Sequence, residues 1–358
     1  MEQKAGYEPT LILLSYFFLV VIGIIEVWSS SRYFAYRNFN DPNLFLRKEI
    51  FYAAVSLSAA LFFSIFNHKI LKKLSFHLVV LSLFLLLLLH IGFGIEVRGA
   101  TRWLKLGIQF EPSQFAQLVV LIYIADFISR KEEFKDSARG VMPVSFVVGL
   151  FFILIALEPD VGTAFLVLLT FAIVIYVAGY SAKYILSLLF PSLFVLGMII
   201  YTYPEKLSRL MNFFVNNKIN YQVEQSLIAL GSGGFFGHGI GDGNYKSLFV
   251  PDSYNDFILA GIGEDFGFFG ICVVILLLML IFYSIFSISK KSNDTFSKIL
   301  SFGIGVTLVV QVLINLFSVL NLIPPKGITM PFLSYGGTSL VMQGVMIGIV
   351  LNIYRNKG

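Results

Sequence analysis

Apolar windows of about 17 to 22 residues recur along almost the whole chain, each long enough to cross roughly 30 Å of hydrocarbon as a single helix. They fall at 10–28, 50–66, 75–92, 113–128, 143–157, 163–179, 184–201, 256–288, 299–320 and 331–354. The expected fold is therefore an all-α polytopic membrane protein of ten transmembrane helices with both termini on one side. It reads as a single domain over 1–358, with a long loop at 202–255 between helices 7 and 8. Fourteen of the 26 basic residues lie on the side of the termini: Lys4, Lys69, Lys72, Lys73, Arg130, Lys131, Lys135, Arg139, Lys183, Lys290, Lys291, Lys298, Arg355 and Lys357. The positive-inside rule makes that side cytoplasmic and the 202–255 loop extracytoplasmic. A composition 57% hydrophobic and 13% charged excludes a soluble globular domain, a disordered chain and a nucleic-acid binder. The lone Cys272 sits in an apolar run, offers neither a disulfide nor a zinc site, and reads as a buried small hydrophobe. The first span has no small-residue cleavage signature before or within it, so it is expected to be an uncleaved helix.

The eighth window carries acids at its start, Asp256, Glu264 and Asp265. An ionisable group on a membrane helix costs at least about 2.5 kcal/mol at mid-bilayer, so each needs a partner, a wet cavity or a chemical task. Asp256 stands at the helix mouth, where water reaches it and partial desolvation would raise its pKa towards the working range of a general base. Asn255 or Asp256 as a helix N-cap is the structural alternative. Glu264 and Asp265 follow about 12 to 14 Å further along the helix, too far to share one proton transfer with Asp256. They are expected to pair with buried donors and hold helices in register.

The same outer face gathers Arg102, Trp103, Lys105, Asp160, Gln225, Lys246 and Lys326. Cations beside carboxylates at a membrane edge suit a lipid-linked diphosphate: the cations neutralise the leaving group and a carboxylate takes a proton from an attacking hydroxyl. Plainer roles exist for each. Trp103 suits an interfacial belt, Lys326 can snorkel to the surface, and Asp160 can cap the helix that follows it. The glycine-rich stretch 232–246, SGGFFGHGIGDGNYK, permits close backbone approach to a phosphate or an anion nest, but without a flanking strand it is not a dinucleotide or Walker loop. Residues 207–214 and 221–230 have helical apolar spacing and suit amphipathic interfacial helices. PPKGITMP, with Pro324, Pro325, Gly327 and Pro331 around Lys326, reads as a fixed non-helical re-entry, and SYGGTS (334–339) as close packing at a helix start. His238 has no second ligand at metal spacing. No soluble cofactor is implied, and no protein metal site; a divalent cation, Mg or Mn, assisting the diphosphate stays open.

Taken together, GATRWLKLG (99–107), EPSQFAQL (111–118), EPDVGTA (158–164), QSLIALGSGGFFGHGIGDGNYK (225–246), PDSYNDFILAGIGEDFG (251–267) and PPKGITMPFLSYGGTSL (324–340) resemble the SEDS family, the RodA, FtsW and SpoVE group. The PPKG lysine and the EPDVGT wording look closer to the FtsW branch. The resemblance implies a glycosyltransferase of the bacterial cytoplasmic membrane that polymerises lipid II at the outer face beside a class B penicillin-binding protein. It puts Asp256 in the place of the family's essential aspartate, with Arg102, Lys105, Lys246 and Lys326 on the diphosphates and Asp160 and Gln225 lining the cavity. The chain departs from the family pattern at Gln114 and Gln117, a neutral pair where a glutamate and lysine are usual, and at Asp252, Tyr254 and Asn255. A lipid-linked-sugar flippase and a non-catalytic scaffold for a penicillin-binding protein are the competing readings.

Overall fold

The computed structural model describes residues 6–97, 100–105, 109–131, 133, 138–216, 219–243, 246 and 253–356. Among them are the helices α1 (Glu8–Phe39), α2 (Leu44–Ile65), α3 (Lys69–Leu88), α4 (Pro112–Arg130), α5 (Ala138–Leu157), α6 (Val161–Val177), α7 (Ala182–Thr202), α8 (Pro204–Phe214), α9 (Tyr221–Ser232), α10 (Ile258–Lys290), α11 (Thr295–Val319) and α12 (Gly337–Arg355). A small antiparallel sheet, ordered β1 (Gly94–Val97), β2 (Ala100–Lys105) and β3 (Gln109–Phe110), lies between α3 and α4 in sequence. Among the described residues, 8 helices are long and apolar enough to cross a membrane, and Val161–Val177 and Leu189–Thr202 are shorter apolar helices. The chain is a multi-pass helical membrane protein.

Contacts divide it into two compact units, residues 1–59, 208–285 and 311–344 in the first, and 60–207, 286–310 and 345–358 in the second. In the first unit small residues let backbones meet. A side chain at Gly23 would collide with the carbonyl of Leu333, and the ring of Tyr16 meets Phe332 edge-on at 5.3 Å. The Tyr16 hydroxyl reaches Ser56 Oγ at 2.7 Å, satisfying a polar group that is otherwise buried among apolar side chains. In the second unit α3 packs on α4, and α5 on α6 and α7. Its buried His68 is bonded through both ring nitrogens, to Asn352 Oδ1 at 2.6 Å and Ser297 Oγ at 2.7 Å, tying three chain segments together.

Several boundaries differ from the sequence reading. α1 continues to Phe39, since nothing between Trp28 and the left-handed Asn40 stops a helix; the apolar window marks the membrane, not the helix end. The stretch before α4 is a sheet instead of a plain loop, with Ile95 paired to Trp103 and Leu104 to Phe110, which satisfies its backbone groups. α10 begins at Ile258, so Asp256 precedes the helix, and α12 begins at Gly337, with non-helical backbone at 324–336 as the prolines demand. Cys272 is exposed on α10 rather than buried. The expectations placed on Lys4, Lys135, Asp252 and Lys357, on parts of 99–107 and 244–252, and on the side chains of Lys105 and Arg139 lie outside the described residues.

Candidate functional site

In the first unit Asp256 lies half-buried in a turn at 253–257, just before α10. Three successive carbonyls of that turn each accept a hydrogen bond from a different donor. Tyr254 O accepts from the Tyr335 backbone N–H at 2.9 Å, Asn255 O from Ser334 Oγ at 2.6 Å, and Asp256 O from Asn315 Nδ2 at 2.8 Å. The same Asn315 nitrogen donates to Ile328 O at 2.7 Å. Ile328 belongs to the irregular segment that carries Lys326, and α11 holds that segment at two further points. Ser318 Oγ accepts from Lys326 N–H at 3.0 Å, and Gln311 Nε2 donates to Thr329 O at 3.0 Å. Gln311, Asn315 and Ser318 fall at i, i+4 and i+7, so they form one polar stripe along the C-terminal half of α11. Sequence reasoning passed over these residues, although a polar stripe at that spacing inside a membrane helix was the available signal.

The backbone at Gly327 comes close enough that a Cβ there would lie 3.0 Å from Asp256 Oδ2. Lys326, beside it, is half-buried. Gln225 is half-buried on α9, a helix started by Asn220, whose side chain accepts from Gln222 N–H at 2.9 Å. Val223 and Ala229 of α9 pack with Phe257, Ala260 and Val319, which seats that helix beside the Asp256 turn. Phe45 meets Tyr254 at a tilt and Tyr335 edge-on, with ring centres 4.9 Å and 5.2 Å apart.

Lys246 takes a different place from the one its sequence context suggested. Its side chain is fully buried, ion-paired with Asp265 and lying 3.5 Å from Glu26 Oε1, and it donates to Ser29 Oγ at 2.8 Å. Ser29 in turn donates to Asp265 Oδ2 at 2.7 Å, and Glu264 Oε2 accepts the Lys246 backbone N–H at 2.8 Å. An ammonium enclosed by the protein's own carboxylates is not presented to a diphosphate, so the expected role of Lys246 in diphosphate binding is corrected to an internal one. The glycine-rich stretch is drawn into the same arrangement. His238 and Gly239 N–H groups donate to Glu264 O and Asp265 O at 2.9 and 3.1 Å, and the Gly241 N–H approaches Asp265 Oδ2 at 3.4 Å. The anion that this loop meets is thus a carboxylate of α10. Gly267, at φ 66 and ψ −166, breaks α10 there and lets Phe268 and Phe269 N–H groups bond Gly234 O and Phe235 O.

In the second unit Arg102, on β2, donates to Pro159 O at 3.0 Å and lies 3.9 Å from Asp160 Oδ1. Asp160 caps α6, accepting from Thr163 N–H at 3.2 Å, and is buried. Lys206 also donates to Pro159 O. Glu111 accepts from Ser113 Oγ at 3.1 Å and Gln114 Nε2 at 3.3 Å, and Gln117 reaches Gln114 at 3.4 Å, so the neutral pair keeps a weak link. Burial, followed by the charge of Asp160, pushes the Glu111 carboxyl up to about 7, against the opposing pull of Arg102. Burial and then Asp160 and Glu111 push Glu158 up to about 10. Trp103 is half-buried and pairs with Ile95 in the sheet, and Lys105 pairs with Gln109 through its backbone. Asp256, Gln225, Lys246 and Lys326 fall in the first unit, and Arg102, Trp103, Lys105 and Asp160 in the second. Among the described residues no group of three or more His, Cys, Asp or Glu is placed to hold a metal ion.

A chain of many long apolar helices that carries a clamped acidic turn belongs to the class of polytopic membrane proteins. The profile of the family described as Cell cycle protein, covering FtsW, RodA and SpoVE, matches residues 9–358. A probable peptidoglycan glycosyltransferase FtsW of Trichlorobacter lovleyi is 33% identical over 359 residues, covering 98% of this chain and 94% of that protein. Stage V sporulation protein E of Bacillus subtilis is 31% identical over 362 residues, covering 99% of each. Among solved structures, the rod shape determining protein RodA of Thermus thermophilus shares the fold with TM-score 0.72 at 23% identity, covering 99% of this chain and 98% of that one. A chain from a peptidoglycan synthase complex that coordinates polymerization and crosslinking shares it at TM-score 0.78 and 22% identity, covering 97% of each. The chain belongs to the SEDS family, in its FtsW branch.

Proposed function

We propose that this peptidoglycan glycosyltransferase polymerises lipid II at the outer face of the bacterial cytoplasmic membrane, with Asp256 as its general base. The enzyme class follows from the family and from relatives bearing that name along nearly their whole length. We place ten helices across the membrane, both termini in the cytoplasm and 202–255 outside, the whole of 1–358 acting as one SEDS domain.

The carrying observation is the clamped turn, in which three backbone carbonyls are tied to other segments and a half-buried carboxylate stands beside the glycine backbone next to Lys326. Asp256 takes the proton from the 4-hydroxyl of the acceptor GlcNAc. The freed oxygen attacks the anomeric carbon of the donor MurNAc, whose bond to the diphosphate breaks with inversion, and undecaprenyl diphosphate leaves with the electron pair. Arg102, Lys105 and Lys326 neutralise the diphosphates, Asp160 and Gln225 orient the groups around them, and Trp103 anchors the sheet at the membrane edge. A divalent cation, Mg or Mn, would arrive as part of the diphosphate substrate, and no soluble cofactor takes part. A class B penicillin-binding protein is the crosslinking partner, and lipids cover the exposed apolar helices.

The test is lipid II polymerisation by purified protein in proteoliposomes. Asp256→Asn is expected to fold, to bind lipid II and to make no glycan. Wild-type polymerisation by that variant removes Asp256 from the role. Transbilayer movement of labelled lipid II without polymer in the wild type would turn the reading to a flippase, and glycan formed only when the partner supplies it, to a scaffold.

A further inference from the structure

We infer that Asn315 is a positioning residue that sets Asp256 against the segment carrying Lys326, an inference that rests on the reading of Asp256 as the base. Neither piece of backbone belongs to a regular element: Asp256 is in a turn and 324–330 has no repeating hydrogen bonds of its own. Such backbone keeps one geometry only if something outside it supplies donors. Asn315, 1% exposed on the rigid α11, supplies them to both pieces from one nitrogen, at 2.8 Å to Asp256 O and 2.7 Å to Ile328 O.

The orientation of that amide is fixed by chemistry. Both partners are carbonyl oxygens, so the NH2 end must face them. Its own oxygen has no donor among the described residues, so the amide is held at this place by its two donations alone. A hydroxyl offers one hydrogen and reaches one carbonyl; a carboxylate offers none; an alkyl side chain frees both segments. The Asp256 turn and the segment carrying Lys326 are therefore held at a fixed spacing by a residue that bonds the backbone of both. The plainer role for a buried asparagine is glue between helices, which would affect stability without selecting a step of the reaction.

The experiment uses the full chain in proteoliposomes, with initial rates measured against lipid II concentration and pH. Because a displacement of about 1 Å at a reacting group costs on the order of 100-fold in rate, Asn315→Ala is expected to lower kcat by about 30- to 100-fold. KM stays within about threefold, and the acidic limb of the pH profile remains, since the base is still present. Asn315→Ser, which keeps one donor, is expected to fall between wild type and alanine. A raised KM with kcat kept, or wild-type kinetics, overturns the inference. If the alanine variant does not fold, the serine variant is judged by the same split, and wild-type kcat in a folded Asn315→Ser overturns it too. Asp256→Asn runs in parallel: polymerisation there sinks the base reading itself, whereas an inactive Asp256→Asn beside an unimpaired Asn315→Ala sinks only the positioning role.

Discussion

Lys246→Met separates two uses of a lysine beside a membrane: holding a substrate anion, or neutralising the protein's own acids. In the structure the ammonium is enclosed by Asp265, Glu26 and Ser29 with no exposed surface. Asp265 is its ion-pair partner, and Glu26 Oε1 lies 3.5 Å away. Replacing it by an apolar side chain strands the fully buried Asp265 carboxylate, and breaking a buried pair from one side costs about 3–5 kcal/mol. That is a large part of the stability of an ordinary folded protein, so the variant should melt well below wild type when followed by tryptophan emission in detergent. Adding Asp265→Asn should recover part of the loss, because one stranded charge goes with its partner. In the folded fraction, KM for lipid II should stay near wild type. A variant that melts like wild type but needs much more lipid II would refute the internal role and return Lys246 to the diphosphate.

The acids of the second unit give a pH signature. Glu111 and Glu158 have an ordinary value of 4.5 and are pushed up to about 7 and about 10, so each holds its proton longer folded than unfolded. The stability they contribute is full below 4.5 and is lost as pH rises through the folded values, hence the melting temperature should decline from pH 5 to pH 8. Glu111→Gln should flatten the part of that decline below pH 7, and an unchanged slope would show that Glu111 is not the group responsible. Gly267→Ala should lower the melting temperature clearly, since at φ 66 a Cβ would run into the backbone of Phe235 and Gly237; a variant as stable as wild type would mean that the break in α10 is not strained.

The helices and the family were legible because apolar length and motif order are local properties of the sequence. The amphipathic stretches after 202 were legible for the same reason and emerge as α8 and α9. The prolines around Lys326 announced an irregular segment, and the structure keeps 324–330 free of regular elements. The destination of Lys246 was not legible: Glu26 and Ser29, which surround it, stand about 220 positions earlier on α1, at the end of a window that scores only as apolar and just beyond it. The glycine-rich stretch misled for the same reason, as its flexibility showed but the carboxylate it meets on α10 did not. The sheet before α4 was hidden because its strands are short and their pairing partners lie across turns that window counting ignores.

The way the Asp256 turn is built bears on what its carboxylate is for. Its shape depends on carbonyl oxygens at 254, 255 and 256, which any amino acid provides, and on donors from Tyr335, Ser334 and Asn315. Changing Asp256 to asparagine leaves all three of those bonds available and hardly alters side-chain volume. A helix cap would survive the same change, because an asparagine oxygen accepts the capping bond as an aspartate oxygen does, so the substitution removes only the ionisable group. Those three bonds thus do not depend on which side chain stands at 256, and its ionisable group is judged by chemistry. A folded Asp256→Asn without activity would report a missing proton acceptor, whereas an active Asp256→Asn beside a destabilised Asp256→Ala would return the aspartate to the role of a cap.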